Sequence, residues 1–313
     1  MVSALARKLG TSRVAVWQHM EKLRAGGFAF EAKRARGYRL AARPRHLHAV
    51  LVETLLKVRP RNFSMVVVDT IDSTNDEALR QLAAGRPTPF AVLARRQTKG
   101  RGRFGRTWHS ESPDNLYASF AFRPEADPAR MQTFTLWMGV NVCELIHNLG
   151  GVSPSLKWPN DLLFQGRKAG GMLTEARIDN DRIRELVFGL GLNVNSPADA
   201  WPRDLGRHAI SLAEVTGTTI DLNRLAAALV GRVLLAWRTF AEGGHLKNFA
   251  DLWHRYDLLR GQSITLLEGT RRHSGMVTGI DDEGALLLRD EEGRSHRFRA
   301  GEVTIEKPPR TGA

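Results

Sequence analysis

The residues best suited to chemistry lie between positions 65 and 195. The segment Gln97-Thr98-Lys99-Gly100-Arg101-Gly102-Arg103-Phe104-Gly105-Arg106-Thr107-Trp108 interleaves cations with glycines. Glycine lets backbone approach a ligand closely, and arginine forks grip phosphate and carboxylate oxygens in pairs. Gly100, Gly102 and Gly105 formally satisfy GxGxxG, but the dinucleotide fingerprint must open a helix. Here the chain continues through Pro113 into the alternating strand pattern Leu116–Phe122, and that reading fails. No Gly-Lys-Ser/Thr follows at Walker spacing either. What remains is an anion-gripping loop or an Arg/Gly loop for RNA. Cations at this density suit a step that brings a carboxylate up to the α-phosphate of ATP, because those two anions repel.

Four other elements offer groups of the right kind. Ser73-Thr74-Asn75 places two hydroxyls and an amide at a strand-to-helix turn, where helix capping is the competing explanation. Lys157-Trp158-Pro159-Asn160-Asp161 holds a cation and a carboxylate at one bend, with a structural turn around a core Trp as the alternative. The run from Gly166 to Glu175 reads as a hairpin turn into a strand, with Lys168 at the turn. Gly189-Leu190-Gly191-Leu192-Asn193-Val194-Asn195 is a strand end whose glycines permit close approach. The single cysteine, Cys143, excludes an intrachain disulfide framework, and the histidines show no metal-ligand spacing.

These segments need a scaffold. Met65–Val68 reads as a buried strand, followed by a helix over Asp76–Ala84 that Gly85 stops. A long apolar helix is expected over Met131–Leu149, and core helices carry Leu225 to Phe240 and Phe249 to Tyr256. From Gly261 the pattern changes to short strands with glycine turns: Ser263–Leu267, Ser274–Ile280, Ala285–Arg289, Ser295–Arg299 and Val303–Ile305. That spacing fits a small SH3-like β-barrel.

The chain is formally +13, and residues 1–45 alone carry 11 Lys/Arg against two Glu. A block this basic is a footprint for a polyanion. Val2, Leu5 and Leu9 share a face of a short helix ended by Gly10; a second helix carries Val16, Met20 and Leu23, and Gly26-Gly27 stops it. Arg13, Gln18, His19 and Lys22 are the side chains that reach phosphates and base edges from a recognition helix. Two strands, Phe28–Lys33 and Tyr38–Leu40, flank a basic wing with Arg34 and Arg36. A winged helix ordinarily has a helix ahead of this pair, so the chain is expected to start short of that helix. The N-terminus lacks a secretory signal pattern, and no apolar run approaches the ~20 residues that span a bilayer. The expectation is a cytoplasmic protein without membrane contact.

In order and separation, GRGRFGRTW and KWPND, with Ser-Thr-Asn and GLGLN at their flanks, resemble the biotin protein ligase family in its bifunctional form, which also represses the biotin operon. The resemblance implies an α+β fold: a truncated winged helix-turn-helix (1–43), a linker (44–60), a catalytic domain related to class II aminoacyl-tRNA synthetases and lipoate ligases (61–260), and the SH3-like domain (261–313). It implies biotin, ATP and Mg²⁺ as reactants, with a lysine of the biotin carboxyl carrier protein of acetyl-CoA carboxylase as acceptor. It further implies operator DNA and a homodimer promoted by the bound adenylate. Ser73, Thr74, Asn75 and Gln97 would line the biotin pocket. Arg101, Gly102, Arg103 and Lys168 would hold the biotin carboxylate, with Gly100 allowing approach and Lys157 assisting. Trp108, Gly171, Leu173, Gly191 and Asn193 would shape the adenylate side. Asp161 would bind Mg²⁺ or orient the incoming lysine. A biotin-sensing DNA-binding regulator without ligase activity is the alternative, and a lipoate or octanoate ligase a third.

Overall fold

The computed structural model describes residues 2–33, 37–57, 62–124, 126–203 and 205–306. Its N-terminal part is α1 (Val2–Lys8), α2 (Arg13–Ala25) and the antiparallel pair β1 (Ala29–Lys33) and β2 (Gly37–Ala42). The Ser12 hydroxyl accepts from the Ala15 amide and caps α2. The small core here is Ala6, Val16 and Met20, with Phe30 against it. Leu5 and Leu9, expected on the packed face of α1, are exposed; the buried contact of α1 passes through Ala6, one position along.

The segment expected to be a linker contains a helix. In α3 (Ala49–Leu55), Leu51 and Val52 are buried, and Leu47 and Val52 belong to the main core. Asn223 joins this segment to the catalytic core: its Oδ1 accepts from the His48 amide at 2.8 Å, and its Nδ2 donates to the His46 carbonyl at 2.9 Å.

The centre is a seven-stranded sheet in the order β3-β4-β5-β9-β8-β7-β6. Its strands are β3 (Ser64–Ile71), β4 (Phe90–Gln97), β5 (Leu116–Phe122), β6 (Ser155–Lys157), β7 (Asp161–Phe164), β8 (Arg167–Asp179) and β9 (Arg182–Leu192). β3 and β4 are parallel, and the other pairs are antiparallel. Strand side chains alternate between faces, and both faces of this sheet are covered. On one face Ala91, Leu93, Phe120 and Phe188 join the main core with α5 (Arg130–Gly150), α7 (Leu222–Ala241) and α8 (Phe249–Tyr256). On the other, Phe90, Val92, Ala121 and Val187 meet Ala78 and Leu82 of α4 (Thr74–Ala83). That is why every residue of β5 is buried.

A short helix α6 (Leu212–Thr216) precedes α7. The C-terminal unit is a five-stranded antiparallel sheet, order β13-β12-β11-β10-β14, made of β10 (Ser263–Glu268), β11 (Arg271–Ile280), β12 (Leu286–Arg289), β13 (Ser295–Phe298) and β14 (Glu302–Ile305). The five strands fall where the glycine turns place them. They are tied to the catalytic core by the Trp158 indole, which donates to the Gly284 carbonyl at 3.0 Å.

Candidate functional site

The alternation of the sheet selects which side chains can meet. Ser119 pairs with Gly189, Tyr117 with Gly191, Gly189 with Leu173, and Gly191 with Gly171. Tyr117, Ser119, Gly189, Gly191, Gly171, Leu173 and Glu175 therefore lie on the α4 face. On that face a cavity of about 490 Å³ opens, walled by the first turn of α4, the 97–108 loop, the 157–161 bend, Lys168 and residues 301–304.

At one end the groups are neutral. The Gln97 Oε1 accepts from the Thr74 amide at 2.8 Å and lies 3.0 Å from the Thr74 hydroxyl. The Ser119 Oγ is 2.8 Å from Thr74 Oγ1 and 2.6 Å from Asn75 Oδ1. All four residues are buried. Ser73 caps α4 through the Asp76 amide, and it lines the cavity together with Thr74 and Asn75. Ser119 was missed in the sequence; a lone hydroxyl within the apolar run Leu116–Phe122 was the available signal.

At the other end the groups are charged. Lys157 and Asp161 are cross-strand partners at the β6–β7 bend, and Lys168 Nζ lies 2.7 Å from Asp161 Oδ1. Lys168 Nζ also stands 5.3 Å from the Trp108 ring centroid. Burial lowers the pKa of Lys157, with Asp161 opposing. Burial likewise lowers that of Arg103, against Asp161 and Glu302. Arg103 sits over the Phe104 ring at 4.7 Å and lies 3.5 Å from the Gly301 carbonyl, while Arg106 pairs with Glu302. The C-terminal unit thus forms one wall, which the sequence motifs did not reveal.

Several expected roles are redistributed. Arg101 lines the cavity, but its guanidinium is bound to Asp76 and to both carboxylate oxygens of Glu175 at 3.1 Å. The Gly102 amide donates to the Arg106 carbonyl at 2.7 Å, closing the loop on itself. Gly100 has no room for a side chain, since a Cβ would lie 2.3 Å from Ser110 Oγ. Gly171 and Gly191 line the cavity and make room for an indole: a Cβ would meet Trp108 at 3.0 and 2.5 Å. Asn193 is not part of the wall. It is buried behind it, its Nδ2 donating to the Lys168 carbonyl at 3.2 Å. Leu173 contributes its backbone carbonyl to Asn75. Asp161 faces lysines, and among the described residues no group of three or more His, Cys, Asp or Glu gathers to cage a metal ion.

In the N-terminal part, Gln18, His19 and Lys22 are exposed and fall on one side of α2. Helical spacing puts Arg13 on the other side of the buried Val16–Met20 stripe. Arg34 and Arg36 lie outside the described residues.

The indole N–H of Trp108 is buried without a protein partner, a donor that a ligand can use. Gly191→Ala is expected to displace this ring and raise the KM for ATP roughly five- to a hundredfold, the range of an overpacking penalty. Steady-state kinetics would show it, and an unchanged KM would remove Trp108 from the nucleotide side.

A buried row of neutral hydrogen-bonding groups leading to a cluster of cations suits a ligand with a polar, uncharged head and an acidic tail. The chain matches the Biotin/lipoate A/B protein ligase family over residues 67–193, an HTH domain over 2–39 and the Biotin protein ligase C terminal domain over 260–305. It is 35% identical to the bifunctional ligase/repressor BirA of Bacillus spizizenii over 288 residues, 91% of this chain and 87% of that one. It is 31% identical to that of Escherichia coli over 301 residues, 96% and 91%. The structure of biotin protein ligase from Aquifex aeolicus in complex with biotin and ATP superposes with a TM-score of 0.67 at 29% identity, covering 78% of this chain and 99% of that one. The chain belongs to the biotin protein ligase family, in the form that carries an N-terminal HTH domain. No helix among the described residues is long and apolar enough to cross a membrane.

Proposed function

We propose that this chain activates biotin with ATP and transfers it to a lysine of the biotin carboxyl carrier protein of acetyl-CoA carboxylase, and that its N-terminal domain represses a biotin operon. The observation that carries the ligase reading is the two-ended cavity. Thr74, Asn75 and Gln97 line one end with the neutral donors and acceptors that a ureido ring takes, backed by the buried Ser119, while Arg103, Lys157 and Lys168 line the other end with cations that suit its carboxylate.

A biotin carboxylate oxygen attacks the α-phosphorus of ATP, and the bond to the bridging oxygen breaks to release pyrophosphate. Arg103 and Lys168 offset the charge that gathers as the two anions meet. The acceptor amine then attacks the acyl carbon, AMP leaves with the electron pair, and the amine gives up its proton. No protein nucleophile is required; positioning and charge do the work. Asp161, which lines the cavity beside Lys168, would either help hold a Mg²⁺ that accompanies the nucleotide and offsets phosphate charge, or orient the incoming lysine.

Incubation with biotin, ATP, Mg²⁺ and the acceptor domain tests the reading. Labelled acceptor is the expected result; labelled adenylate alone would favour a biotin-sensing regulator. On DNA the protein acts as a homodimer once the adenylate is bound, reading the operator through α2. Lys22→Ala is expected to weaken binding evenly across sequences and to lower the salt slope by about 1. A loss confined to the operator would reassign Lys22 from phosphate to base contact.

A further inference from the structure

Glu175 is quoted by the sequence motif at β8 yet has no part in the chemistry above, and two groups of the site converge on it. The Asn75 Nδ2 donates to Glu175 Oε2 at 2.7 Å. Arg101, from the glycine-rich loop, reaches both carboxylate oxygens at 3.1 Å. Strand register places Glu175 on the cavity face, two residues beyond Leu173. We infer that Glu175 is a positioning residue for ligation: it fixes the direction of the hydrogen-bond chain at the biotin end and pins the loop to it. The inference rests on the ligase reading.

The argument is one of donor and acceptor inventory. An ionised carboxylate only accepts, so the Asn75 amide must turn its Nδ2 to Glu175. Its Oδ1 then faces Ser119, and an amide oxygen also only accepts, so the single Ser119 hydroxyl proton is committed to it. The Ser119 hydroxyl also lies 2.8 Å from Thr74 Oγ1, and Gln97 Oε1 accepts from both the hydroxyl and the amide of Thr74. Glu175, with the Leu173 carbonyl that also accepts from Nδ2 at 3.3 Å, thereby fixes which way the Asn75 amide faces in this buried chain. Because Gln97 begins the segment that carries Arg101, the chain closes a ring: Gln97, Thr74, Ser119, Asn75, Glu175, Arg101. The ring couples the pocket floor to the loop above it. The fit is steric as well, since a Cβ at Gly189 would lie 2.2 Å from Asn75 Oδ1.

Glu175→Gln keeps the shape but removes the charge that holds both the Asn75 amide and the Arg101 guanidinium, which loosens the two together. The expected result is a rise in the KM for biotin of about tenfold or more, the scale of one charge-assisted hydrogen bond. The KM for ATP and the melting temperature should stay near wild type. In a Ser119→Ala background, where the chain is already broken, the same substitution should change the biotin KM less than about threefold, as coupled residues require. Equal rises in both KM values, an unchanged biotin KM, or full additivity with Ser119→Ala would each overturn the inference. A wild-type chain that fails to label the acceptor would instead sink the ligase reading, so the two failures are distinct.

Discussion

Lys168→Met is expected to slow adenylate formation by about a hundred- to a thousandfold, the loss seen when one donor aimed at developing charge is removed. Lys168 touches Asp161 and stands over Trp108 at the charged end of the cavity. Its amine is therefore held at the charged end of the cavity, where the proposed function brings a carboxylate and an α-phosphate together. Methionine keeps most of the stem and its packing while deleting the charge. Biotin affinity should change much less, because the proposed ureido end is the opposite one, lined by Thr74, Asn75 and Gln97. Pyrophosphate exchange measures the first quantity and equilibrium binding of labelled biotin the second. An exchange rate within about threefold of wild type would place the activating cation elsewhere, with Lys157 and Arg103 next in line. The Lys168 backbone is independently tied to the Asn193 side chain and to His208 and Ile210, so the fold should survive.

Arg103→Ala is expected to cost ~2–4 kcal/mol of transition-state stabilisation and to let the adenylate escape. Here the partner groups decide. Arg101 is held by two carboxylates and Arg106 by Glu302, whereas Arg103 has only a carbonyl at 3.5 Å and a ring face. Among the loop arginines that line the cavity, its guanidinium is the one most available to a new anion. The retained fraction of labelled adenylate after rapid desalting reports the effect, together with the single-turnover transfer rate. Wild-type retention and rate would transfer the role to Arg101, and with it the original expectation for the loop.

The ring of charges also explains how cations can wait in a partly buried site. Removing an ammonium or guanidinium from water is costly unless it is paired. Asp76 and Glu175 serve Arg101, Asp161 serves Lys168, and Glu302 serves Arg106. A substrate carboxylate or phosphate then competes with a protein carboxylate for the same cation, which weakens binding of the anion alone and favours the pair that can be joined.

Much of this was legible in one dimension. The loop, the bend at 157–161 and the strand ends announced themselves because turns and close approaches demand glycine, proline and asparagine at fixed offsets. The C-terminal strands were placed by their glycine punctuation, and α5 by its apolar period. The segment 44–60 was misjudged as linker because seven helical residues give too short a pattern to distinguish from a tail. Gly171 and Gly191 line the cavity, and only the folded sheet revealed that the Trp108 indole fills the space they leave.

Local chemistry, then, determined which segments could grip anions, where the helices and strands run, and that the first 45 residues attract a polyanion. Only the folded sheet decided partners. Ser119, Glu175 and Glu302 are separated from the loop by stretches of chain whose length carries no spatial information, and a strand shows which face a residue takes only once its neighbours and register are set. Pairing energies depend on distances of a few ångströms between residues far apart in the chain, and those distances exist only after packing has closed.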